Sequence, residues 1–198
     1  MAYTDKNKLR VVYGDYTLGV HGERFDYIFS YSQGGLESVV KNGYEWLYRC
    51  PRPTFWRALT DNDRGSRFHI KSGSWLASDM FIDCKKTEVI MDGERQKQYA
   101  PDNNSYGGDV SAGEIIVKYT YETVGNPVTT VIVSYTIDVI GNIKVDVDYT
   151  GVKGLPELPV FGMRFICLLY TSNADNWLVS ANQHQIIHNA KIAAEMVI

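Results

Sequence analysis

The sequence predicts an all-β, antiparallel fold, and three observations carry that prediction. Ile115, Val117, Tyr119 and Tyr121 alternate with Ile116, Lys118, Thr120 and Glu122, and Val131, Val133, Tyr135, Ile137 and Val139 alternate with a mixed face. Past Gly141-Asn142, Ile143, Val145, Val147 and Tyr149 alternate with Lys144, Asp146 and Asp148. A period of two with one apolar side marks a half-buried strand, and the Gly-Asn pair joins two such runs as neighbours in a meander. The third observation is an aromatic content of 13%, with 14 Tyr and 4 Trp, residue types that suit pleated surfaces. Flat rings with a polar tip also suit contacts with sugars or proteins. Core and sheet packing is the first explanation for them.

Before the meander, shorter strands are expected over residues 9–13, 16–21 and 25–31, with Gly14-Asp15 and Gly22-Glu23 as turns. Gly34-Gly35 leads to a strand over 36–40, and Asn42-Gly43 is a type I′ hairpin signal before a strand over 45–48. Pro51 and Pro53 are expected to break any ladder before Phe55. A short helix is expected near 74–80, where Trp75, Leu76, Ala77 and Met80 offer an apolar face. Residues 93–113, rich in Gly, Asn and Asp, read as a long excursion between strands. After Phe165 the strand pattern stops. Ile186, Ile187, Ala190, Ala193, Ala194 and Val197, at three- and four-residue spacings, predict a C-terminal helix over 181–197.

With 198 residues the chain can bury a substantial core, about 70% of its unfolded surface. A net charge of −3 with no clustered basic run argues against a nucleic-acid partner. The polar N-terminus is not expected to act as a signal peptide, and no apolar segment approaches the length needed to span a bilayer. Cys50, Cys84 and Cys167 are odd in number and far apart, which fits neither a disulfide framework nor a zinc site. The expected setting is reducing and cytoplasmic.

The chemistry of a hydrolase is missing. Glycoside cleavage takes two carboxyls flanking one bond, and Glu37, Glu45 and Glu114 qualify only by being acidic; Glu45 and Glu114 read as solvated surface. Neither a nucleophile elbow, a His-Glu-x-x-His pair nor a phosphate-cradling loop occurs. His184 and His188 stand four apart on the expected C-terminal helix, but with no third ligand they read as exposed helix histidines.

The densest chemistry lies in Trp56-Arg57-Ala58-Leu59-Thr60-Asp61-Asn62-Asp63-Arg64-Gly65. Asp61, Asn62 and Asp63 can cap their own backbone and hold a tight loop. Arg57, four residues before Asp61, is placed to lock that loop by a charge-assisted pair. Gly65 frees the backbone for a hinge or a positive φ. A calcium loop fails, since Gly65 comes one place early and Ser72 stands where the bidentate Glu belongs. The segment reads as a rigidified loop, structural or binding.

The runs FDYIFSYSQGGLE (25–37), KNGYEWLY (41–48) and PRPTFWRALTDNDRG (51–65), with LPELPVFGMRF (155–165), resemble the small chain, or C-terminal domain, of family 2 β-galactosidases. The Arg-Ala-x-x-Asp-Asn-Asp-x-Gly core is carried by Arg57, Ala58, Asp61, Asn62, Asp63 and Gly65. The resemblance implies a β-supersandwich of the galactose-mutarotase-like kind over residues 1–165. It also implies a partner, a large chain whose (β/α)₈ barrel holds both catalytic glutamates and the metal ions. No cofactor and no catalytic residue is then expected in this chain. Its contribution would be a mobile loop hinged at Gly65 and running through Ser66 and Arg67 toward Ser74, supported by Arg57, Asp61, Asn62 and Asp63, and acting as a lid over the sugar.

Residues 166–198 depart from the family's continuation, and Trp177 does not occupy the context of its sugar-stacking tryptophan. The expectation is therefore an incomplete sandwich with a divergent tail, prone to self-association through open strand edges. Two other functions compete with the accessory chain: a free-standing sugar-binding sandwich using the aromatics, and a mutarotase-like epimerase. The epimerase needs a paired His and carboxylate, and the sequence pairs neither His21 nor His69 with one.

Overall fold

The structure is a computed structural model that describes residues 8–97 and 110–167 and the backbone of 189–196. Its strands are β1 (Leu9–Tyr13), β2 (Thr17–His21), β3 (Phe25–Ser30), β4 (Gly35–Lys41), β5 (Tyr44–Glu45), β6 (Leu47–Thr54), β7 (Asp83–Met91), β8 (Glu94–Gln96), β9 (Val110–Ala112), β10 (Glu114–Glu122), β11 (Thr130–Asp138), β12 (Ile143–Thr150), β13 (Gly162–Cys167) and β14 (Asn189–Met196). Two helices, α1 (Asp61–Gly65) and α2 (Phe68–Lys71), and a 3-10 turn at Gly73–Trp75 lie between β6 and β7.

The strands form two six-stranded antiparallel sheets and a two-stranded ribbon. The first sheet runs β5-β4-β3-β2-β1-β9, the second β14-β12-β11-β10-β7-β8, and β13 pairs with β6. The expected meander is the centre of the second sheet. Its alternation places Ile115, Val117, Tyr119, Tyr121, Val131, Val133, Tyr135, Ile137, Ile143, Val145 and Val147 in the core. The first sheet meets them with Leu9, Val11, Leu18, Val20, Phe25, Tyr27, Phe29, Leu36 and Val39.

Tyrosine hydroxyls tie one sheet to the other. Tyr27 donates to the Gly141 carbonyl at 2.6 Å, Tyr119 to Gly35 at 3.3 Å, and Tyr121 to Gly34. Phe29 and Tyr135 meet edge-on across the interface at 5.6 Å. Many of the large aromatics therefore serve the core, and the polar tips of Tyr27, Tyr119 and Tyr121 each find a backbone carbonyl. Gly34 is held at φ +63°, and a Cβ there would stand 2.4 Å from Cys84 Cβ. The close approach of the β3–β4 turn to β7 thus requires glycine.

Four sequence expectations are corrected. Pro51 and Pro53 do not end their strand. β6 runs through both, because it pairs on one side only, with β13, and its ladder is already irregular there. The helix near 74–80 is only the turn Gly73–Trp75. Ala77 takes φ +61°, Ser78 Oγ bonds the Ser74 carbonyl, and Leu76 and Met80 stay exposed while Trp75 alone goes to the core. The excursion over 93–113 contains β8 and β9, and its residues 98–109 lie outside the described set.

The fourth correction concerns the C-terminal helix. Residues 189–196 form β14, paired antiparallel with β12 over eight positions from Ile143↔Met196 to Thr150↔Asn189. The register sets Glu195 opposite Lys144 and Lys191 opposite Asp148. An apolar pattern compatible with both periods was settled by an open sheet edge. Residues 181–188 of that expected helix, with His184 and His188, lie outside the described residues, as does Trp177.

Candidate functional site

The motif segment begins where β6 ends. Phe55 is fully buried, stacked on Trp75 (5.7 Å) and in contact with Tyr149 and Phe161. This aromatic cluster fixes the start of the segment, and from it the chain turns outward into α1.

Sequence reasoning expected a loop at Asp61-Asn62-Asp63; the structure forms one turn of helix instead. Thr60 is its N-cap, with Thr60 Oγ1 accepting from the Asp63 N–H (3.2 Å) and Asp63 Oδ2 accepting from the Thr60 N–H (2.8 Å). This reciprocal capping box satisfies two of the helix's orphan donors. The same Asp63 carboxylate accepts from Arg57 Nη1 and Nη2, at 2.6 and 3.1 Å. Arg57 therefore locks onto Asp63, not the expected Asp61; Asp61 lies in solvent and meets only Arg64, at 3.3 Å. The Arg57 guanidinium, with the Thr60 N–H and hydroxyl, holds the Asp63 carboxyl well below the usual carboxylate range. Asn62 is exposed and contributes its backbone carbonyl to the Ser66 N–H (2.9 Å), and Ser66 Oγ donates to the Asp63 carbonyl.

Gly65 closes α1 without a positive φ, and a Cβ there would meet nothing within 4 Å. The left-handed turn falls two residues later, on Arg67 (φ 56°, ψ 32°), which starts α2. The change of direction expected at Gly65 is thus carried by Arg67 in this conformation.

The stretch 155–165 braces the segment. Arg57 Nε donates to the Pro159 carbonyl (3.2 Å), and the Trp75 indole N–H donates to the Pro156 carbonyl (3.1 Å). Arg164 on β13 pairs with Asp79 at 2.9 Å. Residues 57–63 and 75–79 are therefore pinned at both ends to one turn and one strand, and residues 64–71 between them are largely exposed. Sequence reading found both the motif and the 155–165 run but did not bring them together. Trp75 and Asp79 were missed as anchors.

Glu37 and Glu114 are exposed. Glu45 is not the solvated residue expected. Its carboxylate accepts the backbone N–H groups of Val39, Trp46 and Leu47 at 2.9 to 3.0 Å, and the Ser38 hydroxyl, a hairpin clamp with its acceptor capacity used. His21 does find a carboxylate, Asp26 at 2.6 Å directly across the β2–β3 ladder, but on an exposed face. An open groove at β7–β8 is lined by Thr87, Glu88, Arg95, Gln96 and Lys97, without an aromatic on which a sugar could stack. The three cysteines are free. Among the described residues, no three His, Cys, Asp or Glu stand together for a metal ion, and no helix is long and apolar enough to cross a membrane.

Fold and site together define a two-sheet β-sandwich domain that presents a braced, capped segment on its surface. The comparisons give that class its family. The family model for the β-galactosidase small chain matches residues 21–177, and the chain belongs to that family. It is 55% identical over 167 residues to a β-galactosidase small subunit of Latilactobacillus sakei, covering 84% of this chain and 52% of that protein. It is 36% identical over 175 residues to a β-galactosidase of Clostridium acetobutylicum (88% of this chain, 17% of that protein) and 31% identical over 160 residues to one of Streptococcus thermophilus (81% and 14%). The chain thus spans about half the length of the small-subunit relative and a much smaller share of the other two.

Proposed function

We infer that this chain acts as a non-catalytic accessory chain of a heteromeric β-galactosidase, lending a loop to the active site of a large chain that hydrolyses β-galactosides such as lactose. The observation that carries the reading is the Arg57–Asp63–Thr60 lock, braced on Pro159, which holds the family motif rigid at the base of an exposed segment. A lid needs a fixed base and a free span, and residues 64–71 supply the span. Gly65, Ser66 and Arg67 are its first residues, and both catalytic carboxyls and any metal ions belong to the large chain. The setting is the cytoplasm, and open strand edges favour self-association of the chain when the large chain is missing.

The test is co-expression with the large chain of the Latilactobacillus sakei enzyme, reading pull-down and nitrophenyl-galactoside hydrolysis. The isolated chain is expected to be inactive, and activity is expected to appear only in the complex. Gly65→Ala is expected to leave the chain's melting temperature unchanged or slightly raised, since a Cβ fits there. In the complex it is expected to lower kcat by restricting the lid. A complex formed with no gain of activity, or hydrolysis by the chain alone, would refute the reading.

A further inference from the structure

The segment from α2 to β7 exposes four large apolar side chains, Ile70 on α2 (67%), Leu76 (61%), Met80 (73%) and Phe81 (64%). Single exposed apolar residues need no explanation, but four within twelve residues do. They do not sit on a slack loop. Trp75 in the aromatic cluster and Asp79 on Arg164 hold the backbone that carries Leu76, Met80 and Phe81, while turn bonds Leu76 N–H to Gly73 and Met80 N–H to Ala77 keep it compact. Burying such side chains would be strongly favourable, yet the chain spends its anchors on holding them outward.

Within residues 57–81, the charge left without an ion-pair partner among the described residues is positive. Arg57 and Arg64 are neutralised by Asp63 and Asp61. Arg67 and Lys71 are exposed and have no ion-pair partner among the described residues. The strip therefore offers an apolar centre with a cationic margin on the lid side, and its complement is an apolar surface with acidic residues at its border.

We propose that residues 70–81 form a docking strip for the large chain of the assembly, which meets it with such a surface. The proposal rests on the accessory-chain reading and deepens it by naming where the two chains meet. Two observations favour this occupant over a second copy. The strip continues directly from the lid span, so whatever the lid serves lies against it. In the relatives from Clostridium acetobutylicum and Streptococcus thermophilus the matching region is 17% and 14% of one chain, so there the remainder of the same polypeptide is at hand to cover it. A second copy would cover the strip with another cationic margin, which like charges disfavour.

The experiment measures binding of the full chain to the Latilactobacillus sakei large chain by sedimentation velocity and biolayer interferometry, at low and moderate salt. The variant L76S/M80S/F81S removes apolar area from exposed positions, so its melting temperature is expected to stay at the wild-type value, while its affinity falls about 100-fold, chiefly through faster dissociation. Tyr44→Ser, exposed on β5 at the edge of the first sheet, is the control and is expected to bind as wild type. R67S/K71S is expected to slow association and flatten its salt dependence. If wild type binds and the triple variant binds within threefold of it, the docking strip is wrong and the accessory reading stands. If the triple variant loses only self-association, the strip joins two copies and the proposal is overturned. If wild type does not bind the large chain at all, the accessory reading fails and the strip falls with it.

Discussion

Trp75 is the residue on which the exposed segment hangs, and removing it should cost the whole domain. The side chain is 3% exposed, stacked on Phe55 at 5.7 Å, edge-on to Tyr149 at 6.1 Å, and bonded through its indole N–H to the Pro156 carbonyl. A buried ring of this size removes about 150–250 Å² from water, about 4–6 kcal/mol at 25 cal/mol per Å². Alanine keeps a small part of that and leaves a cavity, and measured truncations of this kind cost about 3–5 kcal/mol. Against a typical stability of about 5–15 kcal/mol, Trp75→Ala should move the urea midpoint far down with little change in slope. Trp75→Phe retains most of the ring and loses the hydrogen bond, so about 1–2 kcal/mol is expected. Far-UV circular dichroism is the suitable probe, because removing a tryptophan changes the fluorescence baseline. A cost below about 1 kcal/mol for Trp75→Ala would show that the segment is not part of the cooperative core, and the brace argument would fail.

Other outcomes follow from single groups. Tyr27→Phe strips a hydroxyl that donates to Gly141 and should cost about 1 kcal/mol, whereas Tyr135, whose buried hydroxyl has no protein partner, should tolerate Phe without loss or with a small gain; paired urea curves decide. Gly34→Ala combines a left-handed φ with a Cβ 2.4 Å from Cys84 Cβ, and thermal melts should fall by the equivalent of about 2–4 kcal/mol. Burial pushes the Cys50 thiol up to about 11. Native Cys50 should therefore react with iodoacetamide about 100-fold more slowly at pH 8 than in urea. The unfolded thiol ionises first, so its contribution to stability is complete below about pH 9 and is lost as pH rises through about 11. Equal rates in the two states would overturn the burial argument.

What the sequence disclosed and what it hid divide along the range of the interaction. The meander was legible because each of its strands carries its own period of two, and Asn42-Gly43 because both residues take the positive φ (54° and 81°) that its turn demands. The motif was found, but its partner was misassigned. Spacing suggested Arg57 with Asp61 as an i to i+4 pair, while the capping box turned Asp63 back toward Thr60 and so toward Arg57. β14 was hidden because its apolar residues satisfy helical and strand periods alike, and the edge of β12 that decides the matter lies some forty residues earlier in the chain. The helix at 74–80 failed for a similar reason. Trp75 is claimed by Phe55, Tyr149 and Pro156, and no local pattern announces that pull.

Pro156 and Pro159 receive the Trp75 and Arg57 hydrogen bonds with main-chain oxygens, and this bears on how the domain tolerates change. A carbonyl is the same acceptor whatever side chain stands beside it, so the exposed Glu157 is free to vary and Leu158, packed on the core, needs only to stay apolar, while the path of the turn is fixed. Segment exchange with the small-subunit relative should therefore succeed when residues 55–81 travel together with 155–165, and even when Glu157 is replaced. A single inserted residue between the prolines should instead shift one acceptor away from its donor. Heredity in this part of the domain is then a matter of loop length rather than of letters, and length is what a designer grafting the loop onto another scaffold would have to copy.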